Sequence, residues 1–389
     1  MRLNKIIVIG GIHHNTLGVI RSLAFANVHN IFLILVGNDP DFISCTKYIK
    51  RKNIIKLKSD SLLLDTLLKI GPTFSTKPTI ICSSDSSISI IDRNLKSLSE
   101  YFLLPNAFGK QGEINRLMDK TIQCSIAKEC GLHIPQSKTI ANLDDLNDWD
   151  IFPCIVKPLE SIYGSKNDIK VYYSKDDLYK DVQNSELPNF QIQQFIEKNL
   201  EFQLIGCSMN YGNDLIIPGY TNIIRQPPNT NTGYLYYQPI NSFCSQELHT
   251  SIKKFMQTIG YEGLFSLEFL RDKAGWDYFL EINMRNDGNS FCVTRAGVNL
   301  PHIFFLYKNK IAIDTHKVIK KSVYFMPEIE DLVQAKKQKI NPIIWLKQFL
   351  QTEAHAVFSL KDPLPFIYKL LFFLQTFARK QASKSNYHV

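Results

Sequence analysis

No apolar run in the chain approaches the roughly 20 residues that carry a helix across a bilayer. The opening stretch, MRLNKIIVIGG, is too brief an apolar run, and too soon ended by glycines, for a secretory leader. The eight cysteines are scattered, with no CxxC pair and no nearby histidine cluster. That pattern argues against a zinc site or a disulfide framework and favours reduced thiols in a cytoplasm. Gly10 and Gly11 do not make GxGxxG, and Gly18 lies too late for it, so a nicotinamide-dependent oxidoreductase lacks its fingerprint. The nine histidines are dispersed and suggest no Ser–His–Asp or Cys–His pair. Basic residues are not interleaved with aromatics in a groove-like pattern, which weighs against nucleic acid.

A net excess of positive charge is also lacking over most of the chain. From Lys308 to Val389 there are fourteen Lys or Arg against six Asp or Glu, a net of +8. Since the whole chain carries +9, the first 307 residues hold only about +1. The basic character therefore belongs to the tail.

What is present is an ordinary folded composition, 44% hydrophobic and 21% charged, over 389 residues, long enough for two or three packed units. KIIVIGG (5–11), IFLILVGND (31–39) and PTIICSSD (78–85) read as buried strands alternating with helices, which implies a parallel open sheet for roughly the first 105 residues. The paired glycines suit a tight turn feeding a helix N-terminus, with His13, His14 and Asn15 either capping it or touching a substrate. INRLMDKTIQCSIAKECG predicts one helix over 114–130, stopped by Gly131. FPCIVKP and IKVYY suggest a hairpin with a polar connection, and FQIQQFI a further strand. GLFSLEFL (263–270) and WDYFLEINM (276–284) make an antiparallel hairpin across RDKAG. The change from parallel to antiparallel strands marks a boundary near 105–112.

Side chains in a strand alternate between faces, so Glu281, Asn283 and Arg285 in FLEINMRNDG share one, while Ile282 and Met284 point to the core. Glu268, flanked by Leu267 and Phe269, is brought beside them by hairpin pairing. Two carboxylates and an amide oxygen repel one another unless a cation lies between, and hard oxygen ligands of this kind suit Mg²⁺ with phosphates. Arg285 is then a fork for phosphate oxygens. The bland alternative is a solvated sheet face with an ordinary Glu–Arg pair. Lys157, closing a buried strand, is costly unless it meets an anion. The loop 159–168, with Ser161, Ser165 and Lys166 but only Gly164 for flexibility, is a candidate phosphate cover.

These stretches, with DK at 119–120, QQFIEKNLE and IIRQPPNTNTG, resemble the ATP-grasp superfamily over roughly residues 1–310. They look most like its predicted carboligases that include D-aspartate ligase. The resemblance implies an α/β chain turning α+β in its second half. A Rossmann-like open parallel sheet (1–108) would precede an ATP-grasp fold of small (109–190) and large (191–312) subdomains, followed by a basic helical extension (313–389). It implies that Lys120, Lys157 and Ser161 hold ATP phosphates, and that Gln194, Phe195, Ile196 and Glu197 form a hinge against adenine. Glu201 would bind the ribose. Glu268, Glu281 and Asn283 would hold Mg²⁺, for which Mn²⁺ can substitute. Arg285 would stabilise the transferring phosphoryl group, and Arg225 would lie over the reacting end. Gln194 departs from the acidic residue frequent at its position, and the covering loop is poorer in glycine than the family norm.

The expected activity is ATP-dependent joining of a small-molecule carboxylate to an amine through an acyl-phosphate, with an amino acid attached to a peptide, sugar or envelope precursor. The competing expectation is a nucleotide-binding sensor or scaffold without turnover. PLPFIYKLLFFLQTFARKQ (363–381) reads as a helix with a narrow polar stripe, either docked on the body or lying on an anionic membrane. A cytoplasmic protein, with possible peripheral membrane contact and no nucleic-acid partner, is the overall expectation.

Overall fold

The computed structural model describes residues 4–158, 170–183, 190–227, 230, 232–241, 243–319 and 321–385. Four parallel strands open the chain: β1 (Ile6–Gly11), β2 (Ile31–Val36), β3 (Ile54–Leu57) and β4 (Thr79–Cys82), ordered β3-β2-β1-β4. β3 is the strand that sequence reading passed over, because IIKL is short and alternates weakly. Ile6 and Val8 enter one core and Ile7 and Ile9 another, so this sheet is covered on both faces, as an all-parallel sheet requires. The chain runs outward from β1 to β3 and then crosses back to β4 on the other side of β1. That reversal opens a crevice at the carboxyl ends of β1 and β4, the usual ligand position in open α/β sheets. Gly10 lies at this crossing: a Cβ there would fall 1.8 Å from Ser83 Oγ, so only glycine lets the strands meet.

After β5 (Asn106–Ala107) the architecture turns antiparallel. β6 (Ser137–Ile140), β7 (Cys154–Pro158), β8 (Lys170–Tyr172) and β9 (Phe190–Gln194) form a small sheet ordered β6-β9-β7-β8. It has its own core, including Ile140, Trp149, Leu178 and Ile192. Residues 195–197 then carry the chain into a nine-stranded sheet. Its long strands are β10 (Lys198–Met209), with β11 (Asp214–Ile216) on its flank, β12 (Gly219–Arg225), β13 (Tyr234–Pro239), β14 (Tyr261–Asp272) and β15 (Asp277–Asn283).

Two sequence expectations need correction. The helix predicted over 114–130 is two, Glu113–Leu117 and Lys120–Glu129, because Asp119 turns its carboxylate onto the N–H groups of Thr121 and Ile122 and starts a new helix. The region after 312 is also more than a helical appendage. β16 (Val323–Met326) pairs with β13, and β17 (Ala354–His355) pairs with β16. Val323, Phe325, Ala354 and Val357 share a core with Ile6, Val8 and Leu17. The C-terminal segment is part of the body.

Candidate active site

The β14–β15 register sets Glu268 directly opposite Glu281 and Ser266 opposite Asn283. A bulge follows at once, so Phe269 faces Phe279 and Leu280 is the extra residue; bulges re-aim side chains in this way. On the other flank of β14, Gln203 of β10 stands opposite Glu268. One row therefore crosses three strands: Gln203, Glu268, Glu281.

Glu268 is buried at 6% exposure. Its Oε1 accepts from Asn283 Nδ2 at 2.8 Å and from Gln203 Nε2 at 3.3 Å. Gln203 Oε1 in turn accepts from Asn289 Nδ2 at 2.7 Å, and Asp287 receives Ser266 Oγ at 3.0 Å and the Asn289 N–H at 2.8 Å. Like charges directly opposite on a sheet destabilise it, so the Glu268–Glu281 pairing needs a compensating cation. Lys120, the first residue of its helix, brings its ammonium onto Glu281. Desolvation would lower the lysine's pKa, but the attraction of Glu281 outweighs it and holds the ammonium above its ordinary range. Carboxylate and carboxamide oxygens on one face, with an ammonium already drawn to them, form a donor set that fits Mg²⁺. Glu268, Glu281 and Asn283 are the residues that would hold it.

Arg285 continues the row towards the parallel sheet. Its Nε donates to Asp85 Oδ1 at 2.8 Å and its Nη2 lies 3.4 Å from Asn283 Oδ1. Asp85 opens the helix Asp85–Arg93, just beyond β4. Asn286 donates its N–H to the Cys82 carbonyl, and Asn15 donates to the Ser83 and Asn286 carbonyls. The metal-binding candidates thus adjoin the crevice at the ends of β1 and β4. His13 caps the helix His14–Phe25, its Nδ1 accepting from the Asn15 N–H.

His14 is buried, its ring lying against His13, Phe325 and the Gly288 backbone. Burial, with help from His13 and Lys369, pushes its pKa well below the ordinary value near 6.5. The fold therefore keeps a neutral imidazole while the unfolded chain takes a proton, so folding loses stability as pH falls through and below about 6.5. Urea titrations at stepwise lower pH should show midpoints declining between pH 7 and pH 5. A His14→Gln variant should show a flatter decline, and equal slopes would remove His14 as a cause.

The other expected residues divide. Residues 194–197 do link the two sheets. Gln194 Oε1 accepts the Gln136 N–H, Ile196 is buried, and Glu197 pairs with Lys273 at 2.8 Å. The Phe195 N–H goes to the Pro153 carbonyl. Glu201 accepts from Lys198 and, at 3.3 Å, from Gln226. The Lys157 backbone sits on β7 opposite Gln191; its side chain, Ser161 and the covering loop lie outside the described residues.

Arg225 is the clear correction. Its Nε and Nη2 grip Asp331 at 2.8 and 2.7 Å, Nη2 also reaches Gln348, and Trp345 donates to the same carboxylate. Its bidentate fork ties β12 to the C-terminal helices instead of being held out over the reacting end. Sequence reading also missed Gln203, Asp287, Asn289 and Asp85. Gln203 carried one usable signal, a polar side chain inside the apolar run of EFQLIG.

Solved structures share this architecture. The crystal structure of L-amino acid ligase from Bacillus licheniformis aligns with a TM-score of 0.58 at 13% identity, over 83% of this chain and 80% of that one. N5-carboxyaminoimidazole synthetase from Staphylococcus aureus gives 0.61 at 15% identity, over 88% and 89%. Biotin carboxylase from Campylobacter jejuni, solved as a β,γ-ATP complex, gives 0.60 at 16%, over 82% and 74%. At these identities the likeness shows the fold, which is ATP-grasp. The chain matches no protein-family model and no curated protein.

Proposed function

We infer that the protein is an ATP- and Mg²⁺-dependent ligase that joins a carboxylate to an amine through an acyl-phosphate. The observation that carries this is the Gln203–Glu268–Glu281 row, completed by Asn283, Lys120 and Arg285 on an ATP-grasp scaffold. A carboxylate is a poor electrophile. One of its oxygens attacks the γ-phosphorus, ADP leaves, and an amine then displaces inorganic phosphate. Magnesium, bound with the nucleotide, would neutralise charge on the phosphate oxygens.

The chain's own residues do the rest. Lys120, freed from Glu281 as the nucleotide enters, places its ammonium on the phosphates. Arg285 offers donors where charge gathers on the transferring group. Gln203, Asn289 and Asp287 hold Glu268 and Asn283 in place, so that little reorganisation is needed during reaction. The substrates meet at the ends of β1 and β4, where Arg285, Asn286, Asn15 and His13 converge and two helices begin. The structure shared with L-amino acid ligase and N5-carboxyaminoimidazole synthetase supports a ligase reading, and amino acids attached to a peptide, sugar or envelope precursor are the first substrates to test.

A screen of pooled amino acids against candidate acceptors, read by ADP release and product mass, should give turnover only when carboxylate, amine, ATP and Mg²⁺ are all present. Tight nucleotide binding without ADP from any pair would replace the ligase with a nucleotide-binding scaffold.

A further inference from the structure

The helix Leu364–Ser385 is apolar on two opposite faces. Its inward face, centred on Phe366, Lys369 and Phe373, is docked. Phe366 packs on the core beside Phe358, while Lys369 pairs with Glu330 at 2.6 Å and lies over the Phe42 ring. Residues at the complementary spacing of Leu364, Ile367, Tyr368, Leu371, Phe372 and Leu374 point outward, and all are exposed. Up to Gln375, that outward face carries no polar residue other than Tyr368, with its hydroxyl.

The preceding helix, Pro342–Gln351, repeats the arrangement. Phe349 turns inward onto Phe358, the ring that also receives Phe366, so both helices anchor on one aromatic seam. Ile343, Leu346 and Leu350 turn outward with Lys347 among them. Ile343, Leu346, Leu350, Ile367, Leu371 and Phe372 are between 44% and 73% exposed. Each helix thus has a docked inward face and an exposed, mainly apolar outward one, and exposed apolar faces of this kind mark an interaction site.

Charge selects the occupant. From Lys336 to Lys384 the chain carries nine Lys or Arg and only Glu353 and Asp362 as acids. Asp362 is buried against Arg21, and Glu353 accepts the Tyr324 N–H. Lys337, Lys339, Lys347 and Lys361 are exposed. A second copy meeting this face would bring the same positive charge onto itself. Among the described residues no helix is long and apolar enough to cross a membrane, so insertion as a span is not the use of this surface.

We propose that the outward faces of helices 342–351 and 364–385 dock on an anionic lipid bilayer, apolar side chains entering the interface and lysine tips reaching the headgroups. This is independent of the ligase reading, since it uses none of the residues of the β14–β15 site.

Flotation of the full-length protein with vesicles tests it. The protein should float with phosphatidylglycerol–phosphatidylcholine vesicles, stay in the soluble fraction with pure phosphatidylcholine, and release as salt rises. Ile367→Glu with Leu371→Glu should cut the floated fraction about tenfold or more, with unchanged circular dichroism, because both positions are exposed. Lys347→Glu with Lys361→Glu, which leaves every apolar side chain in place, should abolish the preference for anionic vesicles. The proposal is overturned if the wild type stays soluble with anionic vesicles, or if both paired variants float as it does. It is equally overturned if the wild type is a dimer that the Ile367 and Leu371 changes convert to monomer, since a second copy would then be the occupant.

Discussion

Glu281→Ala is expected to lower ADP production by on the order of a thousandfold while leaving the protein folded. The two halves of this expectation have separate causes. Glu281 is the less buried member of the opposed pair, its side chain 21% exposed and contacting Lys120, whereas Glu268 is the buried member held by two carboxamides. Removing Glu281 breaks its ion pair with the exposed Lys120 side chain, a cost of about 1 kcal/mol, and relieves a like-charge opposition on the sheet. Thermal unfolding should therefore be nearly unchanged. Turnover should collapse, because Glu268 and Asn283 alone provide an incomplete oxygen set for the cation. Near-normal ADP release from Glu281→Ala, measured with saturating Mg²⁺, would end the metal assignment.

The second large effect concerns stability. Arg21 and Asp362 are each about 1% exposed. Asp362 Oδ2 accepts from Arg21 Nε at 3.2 Å and Nη2 at 3.1 Å and from Thr46 Oγ1 at 2.8 Å, and Oδ1 accepts the Lys47 N–H at 3.0 Å. Burial lowers the Arg21 pKa and Asp362 offsets part of that, as expected of a charge tolerated only because it is paired. Asp362→Ala leaves a buried guanidinium without its counter-charge and should cost about 3–5 kcal/mol. Replacing both, Arg21→Met with Asp362→Leu, should recover much of that loss, since an apolar pair of similar volume carries no desolvation penalty. Denaturant titration of the three proteins checks the pattern. A cost below about 1 kcal/mol for Asp362→Ala would show that water reaches the pair.

Much of the candidate site could be read in the sequence because it lies on one hairpin. Two-residue alternation puts Glu281, Asn283 and Arg285 on one face and the hairpin brings the strand of Glu268 alongside, although the pairing of Glu268 with Glu281 itself depends on the Leu280 bulge. The parallel sheet was legible for a similar reason: β1, β2 and β4 are unbroken apolar runs. What was not legible is non-local. Gln203 reaches Glu268 only because β10 pairs with β14 some 65 residues on, and nothing near Gln203 signals that neighbour. Arg225 reads as a residue over the reacting end because its partner Asp331 lies 106 positions downstream. Asp85 carries no local signal of its role, since the fold brings Arg285 to it across 200 positions. The break at Asp119 was local and could have been found, since an aspartate inside a helical run is a standard start signal.

The entry of β16 between β13 and β17, together with Asp362, sets an order on biosynthesis. A ribosome delivers the parallel sheet before the C-terminal segment, yet the guanidinium of Arg21, on the helix that follows β1, waits for an anion encoded more than three hundred codons later. The parallel-sheet unit can therefore collapse early during translation but reaches its final packing only after Asp362 has been delivered.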